Sequence, residues 1–183
     1  MTTKICSLCN KPLSRYGNIK LCDGFLCRNC ASIKSQWLTP DICEKMSVKQ
    51  MIDHFNYRKD NLNKIKDFIE DEKIEGKYSL YINKENKAFV ISKRKDYKGD
   101  NADILDAKDV SNISIYEEEY ANNSVNIIME IKLNNPNISL VSFRVNEFNA
   151  IEIGSDVYSQ TLDKVMEYFN ALLSICDHLR RKE

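Results

Sequence analysis

The chain has 183 residues with 27 Lys plus Arg against 27 Asp plus Glu, so any field that steers a partner must come from where the charges sit. With 43 % hydrophobic and 30 % charged residues, and no apolar run near the roughly 20 residues of a membrane helix, the composition excludes collagen-like, broadly disordered and membrane-inserted structure. This length buries a core without staples, so the seven cysteines need another explanation; the five scattered glycines exclude a Walker loop or a dinucleotide-binding turn.

Six of the seven cysteines lie within the first 43 positions. The first residues reach Cys6 without the apolar stretch of a signal peptide, so a reducing, cytoplasmic setting is expected, where cysteines serve as ligands, core residues or reactive thiols. The dominant pattern is Cys6-Ser7-Leu8-Cys9, seventeen intervening residues, then Cys27-Arg28-Asn29-Cys30. Two such knuckles present four thiolates tetrahedrally to one zinc ion, so Cys6, Cys9, Cys27 and Cys30 are the expected ligands of a structural Zn2+. Asn10-Lys11-Pro12 after the first knuckle and Asp23-Gly24 before the second supply turn chemistry, the latter at the reversal of a hairpin. About 35 residues cannot build an unaided core, so the metal should supply much of the folding free energy. A thioredoxin-like redox role is disfavoured because two knuckles occur together and no strand–helix unit surrounds either. Cys22 and Cys27 form an alternative ligand pair, with a spare, partly buried thiol the preferred reading of Cys22; Cys43 and Cys176 are expected to be structural. Four cysteine ligands leave zinc no position for an activated water, so no catalysis is expected there.

Residues 1–45 carry seven Lys/Arg against three acids, a formal +4; residues 46–75 sum to −1 and residues 76–183 to −3. Zinc held by four thiolates lowers the head to about +2. Pro40 biases Thr39 away from helix and marks the expected boundary, giving a ribbon at 1–38, a linker and helix at 39–75, and a β-rich domain at 76–183. Ser47-Val48-Lys49-Gln50 is a capping box that starts a helix whose stripe runs Val48, Met51, Ile52, Phe55, Leu62, Ile65 and Ile69, with Lys49, Asp53, Lys59, Lys64 and Lys66 outward. Asn61 is expected to mark a break, and His54 to be a helix-surface or boundary residue.

From residue 76 the period changes to two. Residues 78–82 and 88–92 flank a polar loop and predict a hairpin, and 110–116, 125–133 and 138–145 add three runs, giving at least five antiparallel strands. Leu162, Val165, Met166, Phe169, Leu172, Leu173, Cys176 and Leu179 predict a closing amphipathic helix, with His178, Arg180, Arg181 and Lys182 complementing its dipole. The expected fold is α+β: a zinc ribbon, a connecting helix, then a curved antiparallel sheet or partial barrel closed by that helix.

The cysteine head with Asp23-Gly24, the Ser47–Gln50 helix start, and the body from Tyr78 to Ser92 with its terminal helix resemble an uncharacterised bacterial family over nearly the whole chain. That family joins an N-terminal four-cysteine zinc ribbon to a bacterial pleckstrin-homology-like domain. The resemblance implies a fold and a zinc ion and supplies no activity; Cys22 and Cys43 are additions to its metal pattern.

Other clusters carry less chemistry. The basic run Lys93-Arg94-Lys95-Asp96-Tyr97-Lys98 is diluted by Asp96, Asp100 and Asp103, and polybasic membrane binding gains only about 1 kcal/mol per charge, so a solvated loop is expected. Asp100, Asp103, Asp106 and Asp109 lack the order of an EF-hand and are expected in an exposed loop; Glu117-Glu118-Glu119 is expected at a solvated strand end. The expected function is a non-enzymatic zinc-binding module that binds another protein or itself. The runner-up is nucleic-acid binding through Arg15, Lys20, Arg28 and Lys34, with Tyr16 and Trp37 stacking on bases. An enzyme using a pocket of the body comes third, with no residues to nominate.

Overall fold

A turn at Asp23-Gly24 reverses the chain between β1 (Ile19–Lys20) and β2 (Phe25–Leu26), as expected, with the Leu21 N–H donating to the Gly24 carbonyl at 2.8 Å. This and all that follows comes from a computed structural model that describes residues 4–93, 96–98, 101–147 and 149–179. Backbone proximity divides the chain into two compact units, residues 1–66 and 67–183.

In the first unit, β2 leads into a short helix α1 (Arg28–Ala31); Thr39 is extended, as Pro40 predicts, and caps helix α2 (Pro40–Lys45) with its hydroxyl. Proline suits the first helical position because its missing N–H would have no partner there. Helix α3 (Val48–Lys64) begins on the expected capping box: Ser47 Oγ accepts the Gln50 N–H, and Gln50 Oε1 accepts the Ser47 N–H. Asp23 Oδ1 accepts the Val48 N–H at 2.7 Å, so the hairpin turn also caps this helix. Leu21, Leu26, Ala31, Leu38, Cys43 and Met51 form one buried cluster, against which Ile19, Ile42, Val48 and Phe55 pack. The metal head, α2 and the first turns of α3 therefore share a single core.

Three expectations about α3 change. Asn61 does not break the helix; it is buried, and its Nδ2 donates to Tyr57 Oη. His54 is buried, not a surface residue: its Nε2 accepts the Ser35 N–H at 3.1 Å, which places the ring proton on Nδ1. The buried stripe is Met51, His54, Arg58, Asn61 and Ile65, with Arg58 Nε donating to the Ile33 carbonyl, while Ile52 and Ile69 are exposed. Polar side chains with internal partners take the face that an apolar count assigns to Ile52.

The second unit holds two four-stranded antiparallel sheets. The first is the meander β3 (Glu72–Ile74), β4 (Ser79–Asn83), β5 (Ala88–Ser92) and β6 (Ile104–Asp106). The second pairs β7 (Val110–Tyr120) with β8 (Ser124–Leu133), whose other edge takes β9 (Leu140–Arg144) and β10 (Ile151–Glu152). Among the described residues these strands do not close into a barrel. Register places Ile113–Ile131–Val141 and Ile115–Met129–Phe143 in rows on the inner face of the second sheet, and Ser114–Glu130–Ser142 and Tyr116–Ile128–Arg144 on the outer one. Asn122 and Asn123 hold positive φ in the β7–β8 turn, a conformation asparagine tolerates.

Helix α4 (Asp156–Ile175) closes this unit, packing on β4, β8 and β10. Its buried residues are Thr161, Val165, Tyr168, Ala171, Leu172 and Ile175, whereas Leu162 and Met166 of the expected stripe are 36 % and 49 % exposed. The reason is Tyr168. Its hydroxyl donates to the Tyr78 carbonyl, its ring meets Phe143 edge-on at 6.0 Å, and Phe143 in turn contacts Tyr78 at 5.3 Å. Burying that large ring with a partner for its hydroxyl outweighs burying Met166. Gly76 is required beside it, because a Cβ there would lie 2.3 Å from Tyr168 Oη. Cys43 and Cys176 are buried as expected, and burial pushes both thiols up, that of Cys176 to about 11 with help from the Asp177 carboxylate.

Two predicted loops differ. Asp103 is fully buried and Asp106 ends β6, so the aspartate series is not an exposed loop; Asp100 lies outside the described residues. Tyr97 is buried within the basic run, its ring 4.4 Å from that of Tyr81 and its hydroxyl donating to Glu70 Oε2 at 2.6 Å. Arg94 and Lys95 of that run, and Arg180, Arg181 and Lys182 of the C-terminal group, lie outside the described residues.

Candidate metal centre

The two knuckles converge because of local backbone chemistry. After the first, Asn10 adopts φ 57, its N–H donates to the Cys6 carbonyl at 3.0 Å, and the Cys6 N–H donates to the Lys11 carbonyl at 2.8 Å. Ile5 and Pro12 bridge on either side, so the first knuckle is the tip of a tight hairpin. It docks onto the second hairpin through Ser7, whose N–H donates to the Phe25 carbonyl at 2.8 Å while its Oγ accepts the Phe25 N–H at 3.1 Å. Gly24 makes the dock possible: a Cβ would sit 2.3 Å from Ser7 Oγ and 2.8 Å from Val48 Cγ2. The second knuckle spans the end of β2 and the first turn of α1, with Cys27 at the helix cap position.

The ligand atoms of Cys6, Cys9, Cys27 and Cys30 all lie within 4.8 Å of one another, and the Cys9 and Cys27 sulfurs are 3.6 Å apart. Zinc–sulfur bonds of about 2.3 Å imply a tetrahedron with edges of about 3.8 Å, so the four cysteines fit such an ion. Among the described residues this is the only group of three or more His, Cys, Asp or Glu side chains placed to hold a metal. Cys22 is not part of it and is exposed, not partly buried as expected.

The electrostatics suit a cation. Burial works against ionisation of Cys6, but the backbone N–H groups of Cys27, Cys9 and Leu8 overcome it and bring the thiol down to about 6. The Cys30 backbone N–H likewise lowers Cys27. Cys30 moves the other way: burial, then the crowding of the other three thiols, pushes it up. Four sulfurs this close are stable together as thiolates only around positive charge. Sequence spacing identifies all four residues; it does not show that backbone donors and Gly24 shape their pocket.

Neither histidine joins the cluster. His54 is engaged by Ser35, and His178 Nε2 donates to the Val110 carbonyl at 2.6 Å. The second unit has a surface cleft of about 430 Å³ beside His178, but four of its five charged groups are paired, Lys87 with Asp177 and Lys108 with Asp106, which leaves Glu85. No helix among the described residues is long and apolar enough to cross a membrane. Compared with protein-family models, curated proteins and solved structures, the chain has no match.

Proposed function

We propose that this chain is a non-enzymatic, cytoplasmic zinc protein in which one structural Zn2+, held by Cys6, Cys9, Cys27 and Cys30, organises the first unit, and a pleckstrin-homology-like second unit binds another protein. The observation that carries the reading is the convergence of four sulfurs within 4.8 Å, two of them on thiols lowered by backbone donors. Four thiolates saturate a tetrahedral zinc, which leaves a scaffold and no reactive position. The order of elements supports the pleckstrin-homology-like assignment: a four-strand meander, a second antiparallel sheet and a C-terminal helix packed on both. Protein binding by this unit is supported by the outer face of its second sheet, where Tyr116 and Tyr120 expose rings tethered to Glu130 and Glu118 through their hydroxyls. Tethered tyrosines offer large contact area at low entropic cost.

Metal analysis of protein purified without added zinc tests the reading. About one zinc per chain, lost on Cys9→Ser with a rise in reactive thiols, is the expected result. Less than about half an equivalent, unchanged by Cys9→Ser, would remove the zinc assignment.

A further inference from the structure

The zinc-bearing unit carries a surface that the scaffold role does not use. Residues 4–38 hold six Lys/Arg and a single acid, Asp23. That carboxylate is occupied at the helix cap by the Val48 N–H. Even with the two negative charges of a zinc tetrathiolate, this segment keeps a net charge of about +3. Among the described residues, Lys4, Arg15, Lys20 and Arg28 form no ion pair.

These cations lie around the β1–β2 hairpin. Lys20 is the cross-strand partner of Phe25, and Lys4 Nζ lies 4.6 Å from the centre of that ring, so Lys4, Lys20 and Phe25 share one face. The opposite face, with Leu26 and Ile19, is turned into the core. Beyond the hairpin, at the start of α1, the Arg28 stem crosses Gly17 in the loop before β1, where a Cβ would lie 3.1 Å from Arg28 Cγ. Gly17 has φ +78, and the loop around it is braced: Ser14 Oγ donates to the Tyr16 carbonyl at 2.7 Å, and Asn18 Nδ2 donates to the Ser14 carbonyl at 2.5 Å. The braced loop holds Tyr16 with 71 % of its surface exposed and the Arg15 guanidinium 5.2 Å from its ring centre.

We propose that this face binds single-stranded nucleic acid, with Tyr16 stacking on an unpaired base beside Arg15, and Lys4, Lys20 and Arg28 meeting the backbone phosphates. An open aromatic ring flanked by a guanidinium matches the π-face of a splayed base, and cations without ion-pair partners set around a hairpin match a phosphate backbone. A duplex keeps its bases stacked, and a lipid headgroup has no ring for Tyr16. The proposal rests on the zinc reading, since the metal holds the hairpin in place, and it adds a partner class that the scaffold role leaves open.

Fluorescence anisotropy with the whole zinc-loaded protein tests it, using labelled oligouridylate and oligothymidylate and, in parallel, phosphatidylserine vesicles. Binding to the oligonucleotides at low salt, falling with a log–log slope of about −2 for three phosphate contacts, is expected. Which of the two binds more tightly separates an RNA from a DNA ligand. Tyr16→Ala should weaken binding by roughly five- to a hundredfold, the cost of one lost base stack. Arg15→Gln with Arg28→Gln should weaken it at least about tenfold, while Lys84→Gln with Lys164→Gln, an equal change of net charge in the second unit, leaves it unchanged. Zinc content measured on each sample shows that the hairpin is intact. Zinc-loaded protein that binds neither oligonucleotide, loses equal affinity with both double variants, or binds only the vesicles overturns the proposal and leaves the zinc reading standing. Protein that holds no metal yet binds the oligonucleotides overturns the zinc reading instead.

Discussion

The two units reach an ordered state by different routes. The first has a small apolar cluster of six buried residues, a helix whose hidden face carries His54, Arg58 and Asn61, and four sulfurs that want a cation. The second buries every residue of β4 and β5, rows of Ile, Met and Phe across its second sheet, and the Tyr78–Phe143–Tyr168 ring cluster. One unit is organised by ligation and capping, the other by layered apolar packing. The same chain should therefore answer the same perturbation in two ways.

Metal removal should separate them most. Zinc binding to small domains is worth on the order of 10–16 kcal/mol, far more than so small a core supplies. Trp37, the single tryptophan, is buried in the first unit and reports on it alone. A chelator should shift Trp37 emission to the red while the circular dichroism of α4 and the sheets persists; joint loss of both signals would erase the distinction. The converse lesion is Phe143→Ala, which removes the ring shared by β9, Tyr78 and α4. A loss of about 3–5 kcal/mol in the second unit's denaturant transition is expected, with zinc content unchanged.

Gly24→Ala acts on the route the first unit depends on. The added methyl meets Ser7 Oγ and Val48 Cγ2, displacing the first knuckle from the start of α3, at about 1–3 kcal/mol. The expected readout is faster zinc release to a competing chelator, with no change in the second unit's transition.

The smallest expected effect is one of sign. Zinc binds thiolates, so protons compete with the metal for Cys6, Cys9, Cys27 and Cys30 and acid should loosen the first unit. Cys176 is raised, so its contribution is present below the ordinary range and is lost as pH rises through about 11. Acid should therefore weaken the first unit through its ligands, and alkali both units through their buried thiols, Cys43 in the first and Cys176 in the second. Thermal melts of zinc-loaded protein across pH, followed at Trp37 and by circular dichroism, check both directions.

What was legible in the sequence divides along the same line. The knuckles, the Asp23-Gly24 reversal and the Ser47–Gln50 capping box are local chemistry, in which each residue's role is set by neighbours a few positions away. The long strands and the existence of both helices follow from period. Helix orientation does not, because an apolar count ranks Leu162 and Met166 above Thr161 and Tyr168, and Ile52 above His54. Tyr168 and His54 bury because each finds a partner distant in the chain, Tyr78 and Ser35, whereas Thr161 turns its hydroxyl back to the Val157 carbonyl of its own helix. The short strands β3, β6 and β10 hold only two or three residues each, too few to set a period. Asp103 was misplaced for a related reason: a carboxylate in a polar stretch gives no sign that the fold will enclose it.

The long strand β7 has a consequence of another kind. Among the described residues it pairs with β8 alone, so up to eleven residues of backbone stand at the margin of a sheet, the arrangement that invites strand-to-strand aggregation. Glu117, Glu118 and Glu119 sit in its most exposed stretch. They act as gatekeepers, since a strand from a second molecule would have to bring its own charges against three consecutive carboxylates. Replacing the triplet with threonine should therefore turn the protein toward fibres, at a stability cost limited to the exposed hydrogen bonds that Glu117 accepts from Tyr158 and Glu118 from Tyr120.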